Sequence, residues 1–314
     1  MAEAEKLRGI NNEFADAFKK TELYKLYEAH KDELIIGIRN DCINLYYNCG
    51  SVVKIDFNNG NISYDINESY LEKKPKEITP HVIYENYEDI KKKIYKLQKD
   101  EKKAQSILFI NNNNNPSSNW FCIDIEYEKS FLNQVEKDKS NFKGRFDIIA
   151  ISKTIPHKVA LIELKYNDSA INKGSGIYKH IKDFYEFHNE ELFKKQLKQE
   201  IVNIIKSFNN LVVKIPFNIP GINSISTVPE FYVITLDNKD NRPKQLIGEY
   251  LFNDKRWGGK NQPKEDNFQK KFIDVLDIKN EFHVTFLFST QNLEEGITIN
   301  NIIDDDYYEK IIPE

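Results

Sequence analysis

"RFDIIAISKTIPHKVALIELKYND", residues 145–168, reads as two apolar β-strands joined by a short turn. Charged groups in such strands are costly unless they are paired or bound to a metal. These strands nevertheless carry Asp147, Glu163 and Lys165. Side chains alternate along a strand, so Glu163 and Lys165 share one face while Ile162 and Leu164 point into the core. The short turn makes the two strands antiparallel neighbours, which brings Asp147 toward Glu163 and Lys165. Two carboxylates at close quarters repel one another, and a divalent cation relieves that repulsion. Magnesium suits such a place because it prefers oxygen ligands, keeps several waters and often takes one or two carboxylates plus a substrate phosphate. Lys165 then stands where it can orient or deprotonate an attacking water and offset charge in a phosphorane-like transition state. The competing reading is a salt bridge between Glu163 and Lys165 at a sheet edge, with no chemistry attached.

The flanking sequence sets the order of elements. Residues 12–29 place Phe14, Phe18 and Leu26 at helical spacing. "ELIIGIRNDCINLYYNCGSVVKIDFNNGNISYDI" then gives four short β runs, with Asn59-Gly60 a strong hairpin signal. Residues 1–82 are therefore expected to form a helix and an antiparallel meander, an accessory module. A long helix is expected over about 85–110, with Ile90, Ile94, Leu97, Ala104 and Leu108 on one face and Glu101 in the middle of it. "INNNNNPSSN" reads as the loop that ends this helix. Then come the strand "WFCIDIEYEK", the two strands above, a helix starting near Ser175, a helix over about 191–209 and the strand "EFYVITLDN". A helix near 266–277, the strand "HVTFLFST" and an acidic tail complete a second unit, residues 83–314. The fold class expected is α+β, a mixed central sheet in the order αβββαβ.

"FD" on one strand and "IELK" on the next, inside that order, resemble the PD-(D/E)XK superfamily of restriction-endonuclease-like nucleases. The resemblance covers about residues 85–240. It implies Asp147 and Glu163 as metal ligands and catalytic residues, Lys165 as the catalytic lysine, and Mg²⁺ as cofactor with Mn²⁺ able to substitute. Phe146 stands where the family name has proline. Members often take a further acid from the first core helix, and Glu101 fits that role as a third metal ligand. The resemblance also implies phosphodiester hydrolysis of nucleic acid, DNA before RNA, in a setting such as bacterial restriction or anti-phage defence. A homodimer or a protein partner is a further expectation from it.

Other residues stand near this centre in sequence. Asp124 and Glu126 share one face of their strand, read either as the solvent-facing side of an edge strand or as lying beside the site, where Glu126 is the better placed to assist because it is nearer the strand's C-terminal end. Ser175 is an N-cap for the next helix, whose free N–H groups can hold a phosphate. His180, at the margin of that helix's apolar stripe, is read either as a boundary histidine or as a contact to substrate or to an acid. "NDKRWGGKNQPK" is a basic loop carrying Trp257, suited to phosphate contact and base stacking or simply to solvent. "KKKIYKLQKDEKK" reads as a solvated helix face.

The chain has 314 residues, 40% hydrophobic, enough for a full core. A net charge of −4 argues against an unspecific polycation that coats nucleic acid. Three cysteines without a CxxC pair argue against a disulfide framework or zinc site and for a reducing cytoplasm. No apolar leader or membrane-length apolar run is evident. No G-x-S-x-G or H-E-x-x-H motif supports another hydrolase class. The alternative to a nuclease is a non-catalytic regulator that keeps the fold and binds nucleic acid or protein.

Overall fold

The computed structural model describes residues 7–72, 75–131, 142–167, 177–237, 284–288, 299 and 308–309. The first described helices are two, α1 Asn12–Lys19 and α2 Glu22–Ala29, where the apolar spacing over residues 12–29 predicts one. The break falls at Thr21, whose extended backbone and side chain, accepting from Tyr24 N–H at 3.3 Å, start a new helix. A four-stranded antiparallel meander follows: β1 Ile35–Ile38, β2 Cys42–Tyr47, β3 Gly50–Asn58 and β4 Asn61–Asp65. Asn59 and Gly60 turn the last hairpin with φ of 51° and 80°, left-handed values that favour this residue pair.

The single long helix expected next is three: α3 Pro80–Glu85, α4 Tyr87–Leu97 and α5 Asp100–Asn114. Gln98 and Lys99 are extended, with ψ of 138° and 156°, which redirects the chain. The redirection lets two apolar stripes reach different sheets. Ile90 and Ile94 of α4 pack with the meander, whereas Ala104 and Leu108 of α5 pack against the central sheet. Leu97, expected on the buried face, is 64% exposed. The asparagine run is not a loop, since α5 continues through Asn114.

Among the described residues the second sheet has six strands in the order β10-β9-β8-β7-β6-β5. They are β5 Trp120–Phe131, β6 Phe142–Ser152, β7 Val159–Tyr166, β8 Glu230–Leu236, β9 Val284–Phe288 and β10 Tyr308–Glu309. β5, β6 and β7 pair antiparallel, β7, β8 and β9 parallel, and β10 antiparallel to β9. α6 Ile177–Asn189 and α7 Lys198–Asn210 lie between β7 and β8 in the chain. α7 is shorter than the helix expected over about 191–209, because Phe193–Leu197 is a π-type turn. α5 covers one face of the sheet, over Ile148, Ile162 and Leu164. α6 and α7 cover the other, over Phe146, Ile149 and Leu161. A mixed α+β fold with α5-β5-β6-β7-α6-α7-β8 in sequence is the result, as the sequence order implied.

The apolar cluster beneath α6 and α7 continues without a break into α1, α2 and the meander. Among the described residues no helix is long and apolar enough to cross a membrane. The helix expected near 266–277 lies outside the described residues.

Candidate functional site

The site follows from where the ladder between β6 and β7 stops. Their pairing runs from Ile151↔Val159 to Ile148↔Ile162 and ends there. Beyond it, β6 continues paired to β5, down to Phe142↔Phe131, while β7 continues paired to β8, up to Tyr166↔Leu236. Asp147 and Glu163 are the first residues past the last pair on their strands, so they stand at the mouth of a split in the sheet. A split at the carboxyl end of parallel strands is where ligands commonly enter open α/β sheets.

Asp147 is fixed across this split. Its Oδ2 accepts the backbone N–H of Leu164 at 2.8 Å, which sets the carboxylate beside the two charged residues that flank Leu164. Lys165 Nζ donates to Glu163 Oε1 at 2.6 Å and lies 3.7 Å from Glu101 Oε1 on α5. His180, from α6, places Nε2 3.0 Å from the same Glu163 oxygen. Glu163 and Lys165 are 2% and 5% exposed, so both are buried charges that need these partners.

α5 contributes two neighbouring residues in its first turn. Glu101 faces Lys165, and Lys102 Nζ pairs with Glu126 of β5 while standing 3.6 Å from Asp147 Oδ1. The Lys102 ammonium also donates to Gln105 Oε1 at 3.3 Å. A hairpin of the meander supports this turn: Cys49 N–H donates to Ser106 Oγ at 2.8 Å, and Cys49 Sγ lies 3.1 Å from the Lys102 carbonyl. The N-terminal sheet thus holds the helix that carries Glu101 and Lys102.

Electrostatics distinguish the two carboxylates. Burial, reinforced by the Glu163 charge, pushes the Asp147 carboxyl well above the usual carboxylate range. Burial pushes Glu163 the same way, but the Lys165 ammonium and the His180 hydrogen bond outweigh it and hold Glu163 low. For Lys165, burial works against the ammonium, yet Glu163, Glu101 and Asp147 together raise its pKa. Lys102 is raised in the same way by Asp147 and Glu126.

Asp147, Glu163, Glu101 and Glu126 set four carboxylates against the ammonium groups of Lys102 and Lys165. That excess of hard oxygen donors, with Asp147 resisting ionisation beside Glu163, is the donor set a magnesium-sized cation would relieve, so the residues fit the metal. Asp147 and Glu163 would hold it, with Glu101, 3.7 Å from the Lys165 ammonium, the further acid beside them. Among the described residues, the possible ligands whose atoms all lie within 4.8 Å of one another are His30, Glu33 and Glu88 and not the four carboxylates above. There, however, Glu33 already takes the Lys91 ammonium at 2.5 Å and the Tyr87 hydroxyl at 3.0 Å, so that cluster contains its own cation.

The structure brings together Asp147, Glu163, Lys165, Glu101, Glu126 and His180. Ser175 and Trp257 lie outside the described residues. Asp124 does not join the site. The bulge between Cys122 and Asp124 precedes both acids, and it is Glu126, with a left-handed φ of 53°, that breaks the alternation expected to put the two on one face. Asp124 is instead buried between two guanidiniums, paired with Arg8 and, at 2.5 Å, with Arg39. Arg8 also lies 4.0 Å over the Tyr127 ring, whose hydroxyl donates to the buried Glu200 at 2.9 Å. Lys102 was missed in the sequence, where a helix lysine off the apolar stripe reads as solvated. Its place beside Glu101 in the same turn was the available signal.

Comparison of the chain with protein-family models, with curated proteins and with solved structures returns no match.

Proposed function

We propose that the protein is a divalent-metal-dependent nuclease of the PD-(D/E)XK type, hydrolysing phosphodiester bonds of nucleic acid. The observation that carries this reading is the Leu164 N–H to Asp147 Oδ2 bond at 2.8 Å, which holds one carboxylate beside a second carboxylate and a buried lysine at the mouth of a split sheet. A structural salt bridge needs only Glu163 and Lys165. It does not account for a second carboxylate held next to them against its own repulsion.

Each residue then has a task. Asp147 and Glu163 would hold Mg²⁺, which when bound supplies Lewis-acid stabilisation of the phosphate and a water of lowered pKa. The Lys165 ammonium, kept charged by its carboxylate neighbours, orients the attacking water and offsets charge on the phosphoryl oxygens. His180 and Lys165 share Glu163 Oε1, so His180 fixes that carboxylate's rotamer and leaves its other oxygen for a ligand. Lys102 and Glu126 hold the outer side of Asp147.

The test is cleavage of labelled DNA and RNA, single- and double-stranded, with Mg²⁺, Mn²⁺ or EDTA, beside Lys165→Ala. Metal-dependent cleavage absent from the variant supports the reading and names the substrate. Cleavage that survives in EDTA or in Lys165→Ala overturns the mechanism. No cleavage, together with no Mg²⁺ binding by calorimetry, would favour a regulator that keeps the architecture without the chemistry.

A further inference from the structure

The outer face of α4 is a basic ridge that continues through Lys99 to the start of α5, whose first turn carries Glu101 and Lys102. Its inner face buries Tyr87, Ile90 and Ile94 against the meander. On the opposite arc Lys92, Lys93, Tyr95 and Lys96 are exposed, and Lys99 is exposed in the bend that follows. Some of this charge is already neutralised: Lys92 pairs with Asp89 at 3.1 Å, and Lys103 with Asp100 at 3.2 Å. Among the described residues Lys93, Lys96 and Lys99 form no ion pair. They recur every three residues, and Lys99 stands two residues before Glu101 and three before Lys102. The Tyr95 ring is 53% exposed, although the Lys103 ammonium lies 4.2 Å from its centroid. An aromatic this large has little reason to face water, and the Lys103 contact holds it there at the joint between α4 and α5.

We propose that this ridge is the track along which a single-stranded nucleic acid reaches the split between β6 and β7, with Lys93, Lys96 and Lys99 on its phosphates and Tyr95 stacked on a base. The proposal rests on the nuclease reading for its direction, but the binding it describes does not require cleavage. Charge complementarity selects a polyanion, since three unpaired ammonium groups in a row repel one another and are relieved by successive phosphates. The exposed ring selects the single strand, because its bases are free to stack on an aromatic side chain, whereas those of a duplex already stack on one another. Continuity selects the track, since the ridge ends in the helical turn that supplies Glu101 and Lys102.

The experiment is fluorescence anisotropy of the full chain with labelled single strands of about 20 nucleotides, and with the matching duplex, in EDTA so that nothing is cut. The variants are Lys93→Glu/Lys96→Glu/Lys99→Glu and Tyr95→Ala. Lys20→Glu/Lys25→Glu/Lys206→Glu, exposed after α1, on α2 and on α7 rather than on α4, is the control of equal charge change. The ridge triple variant is expected to bind the single strand at least about tenfold more weakly near 50 mM salt, with its log–log salt slope shallower by about two. Tyr95→Ala is expected to lose about fivefold or more, with little change in slope. The control variant should stay within about twofold of wild type. Equal weakening by ridge and control variants, no weakening by the ridge variant, or tighter binding of the duplex than of the single strand overturns the proposal. Lysine-dependent binding with neither cleavage nor Mg²⁺ binding by calorimetry would leave the ridge standing and remove the nuclease reading. Cleavage unaffected by the ridge variants would do the reverse.

Discussion

Leu164 donates its backbone N–H to the Asp147 carboxylate at 2.8 Å, at the point where the β6–β7 ladder has ended. A side chain here takes a hydrogen bond that the neighbouring strand would otherwise supply. The two strands can therefore splay without leaving that donor unsatisfied. The opening between them is consequently a built feature of the sheet, and it is lined by the residues that the nuclease reading needs.

Lys165→Ala is expected to lower metal-dependent cleavage by at least about 100-fold, because it removes the ammonium that orients water and offsets developing charge. Lys165→Arg should not restore it, since a planar fork cannot replace a compact ammonium packed 2.6 Å from Glu163. Initial rates at saturating Mg²⁺, with circular dichroism to confirm folding, are the check. Wild-type rates in either variant would remove Lys165 from the chemistry.

Asp147→Asn should raise thermal stability while abolishing activity. The folded state holds the Asp147 carboxyl at a raised pKa, through burial first and the Glu163 charge second. A folded-state pKa above the unfolded value means that the native form retains the proton longer, so stability falls as pH rises from the unfolded pKa toward the folded one. Asn removes that loss. The melting temperatures of wild type and variant should therefore be closest near pH 4 and diverge, in favour of the variant, toward neutral pH. Mg²⁺ should reverse the order by stabilising the wild type alone, by about 2.7 kcal/mol at a hundredfold excess over its Kd. A variant that melts below wild type at neutral pH without metal would contradict the repulsion assigned to this pair.

His180→Ala should weaken Mg²⁺ binding or cleavage by about 10- to 100-fold, the usual effect of losing a group that orients a metal-binding carboxylate. His180→Gln retains an N–H donor and should recover part of that loss, which a purely space-filling histidine would not predict. The comparison is made by calorimetry for metal and by cleavage rate for turnover. Equal behaviour of the Ala and Gln variants would assign His180 to packing alone.

How far the sequence discloses this arrangement depends on the element. β6 and β7 are so uniformly apolar that Asp147, Glu163 and Lys165 stand out, and period-two alternation places them correctly. α4 and α5 read as one helix because Leu97 and Ala104, seven apart, keep a helical spacing across Gln98 and Lys99, where neither Gly nor Pro marks the break. Only the need of the two stripes to cover different sheets separates them. Asp124 and Glu126 look equivalent in sequence, and the left-handed backbone at Glu126, φ 53°, that turns them apart has no local signature. The asparagine run reads as a polar loop. In the fold, Asn112 Nδ2 donates to the Trp120 carbonyl at 2.9 Å, while the Asn113 amide both accepts from Cys122 N–H at 2.7 Å and donates to its carbonyl at 2.9 Å. Asn113 acts as a short extra strand on the free edge of β5, a role that only that edge reveals.

The Asp124 cluster gives the last prediction, because it separates structural charge from catalytic charge on the same strand. Asp124 is 1% exposed and takes both Arg8 and Arg39, which tie the N-terminal segment and the end of β1 to β5. Asp124→Ala leaves two guanidiniums buried without their anion and should cost roughly 3–5 kcal/mol, as breaking a buried pair by removing one partner does. Arg8→Met should cost less, since Arg39 still neutralises Asp124 and the methionine stem can fill part of the space over Tyr127. In urea denaturation the ranking of midpoints should be wild type, then Arg8→Met, then Asp124→Ala. Because none of these groups reaches Asp147, Glu163 or Lys165, the folded fraction of each variant should keep the wild-type cleavage rate at low temperature. Loss of cleavage in a folded Arg8→Met protein would mean that the N-terminal segment acts on the site itself, and that the Cys49 hairpin behind Lys102 transmits more than support.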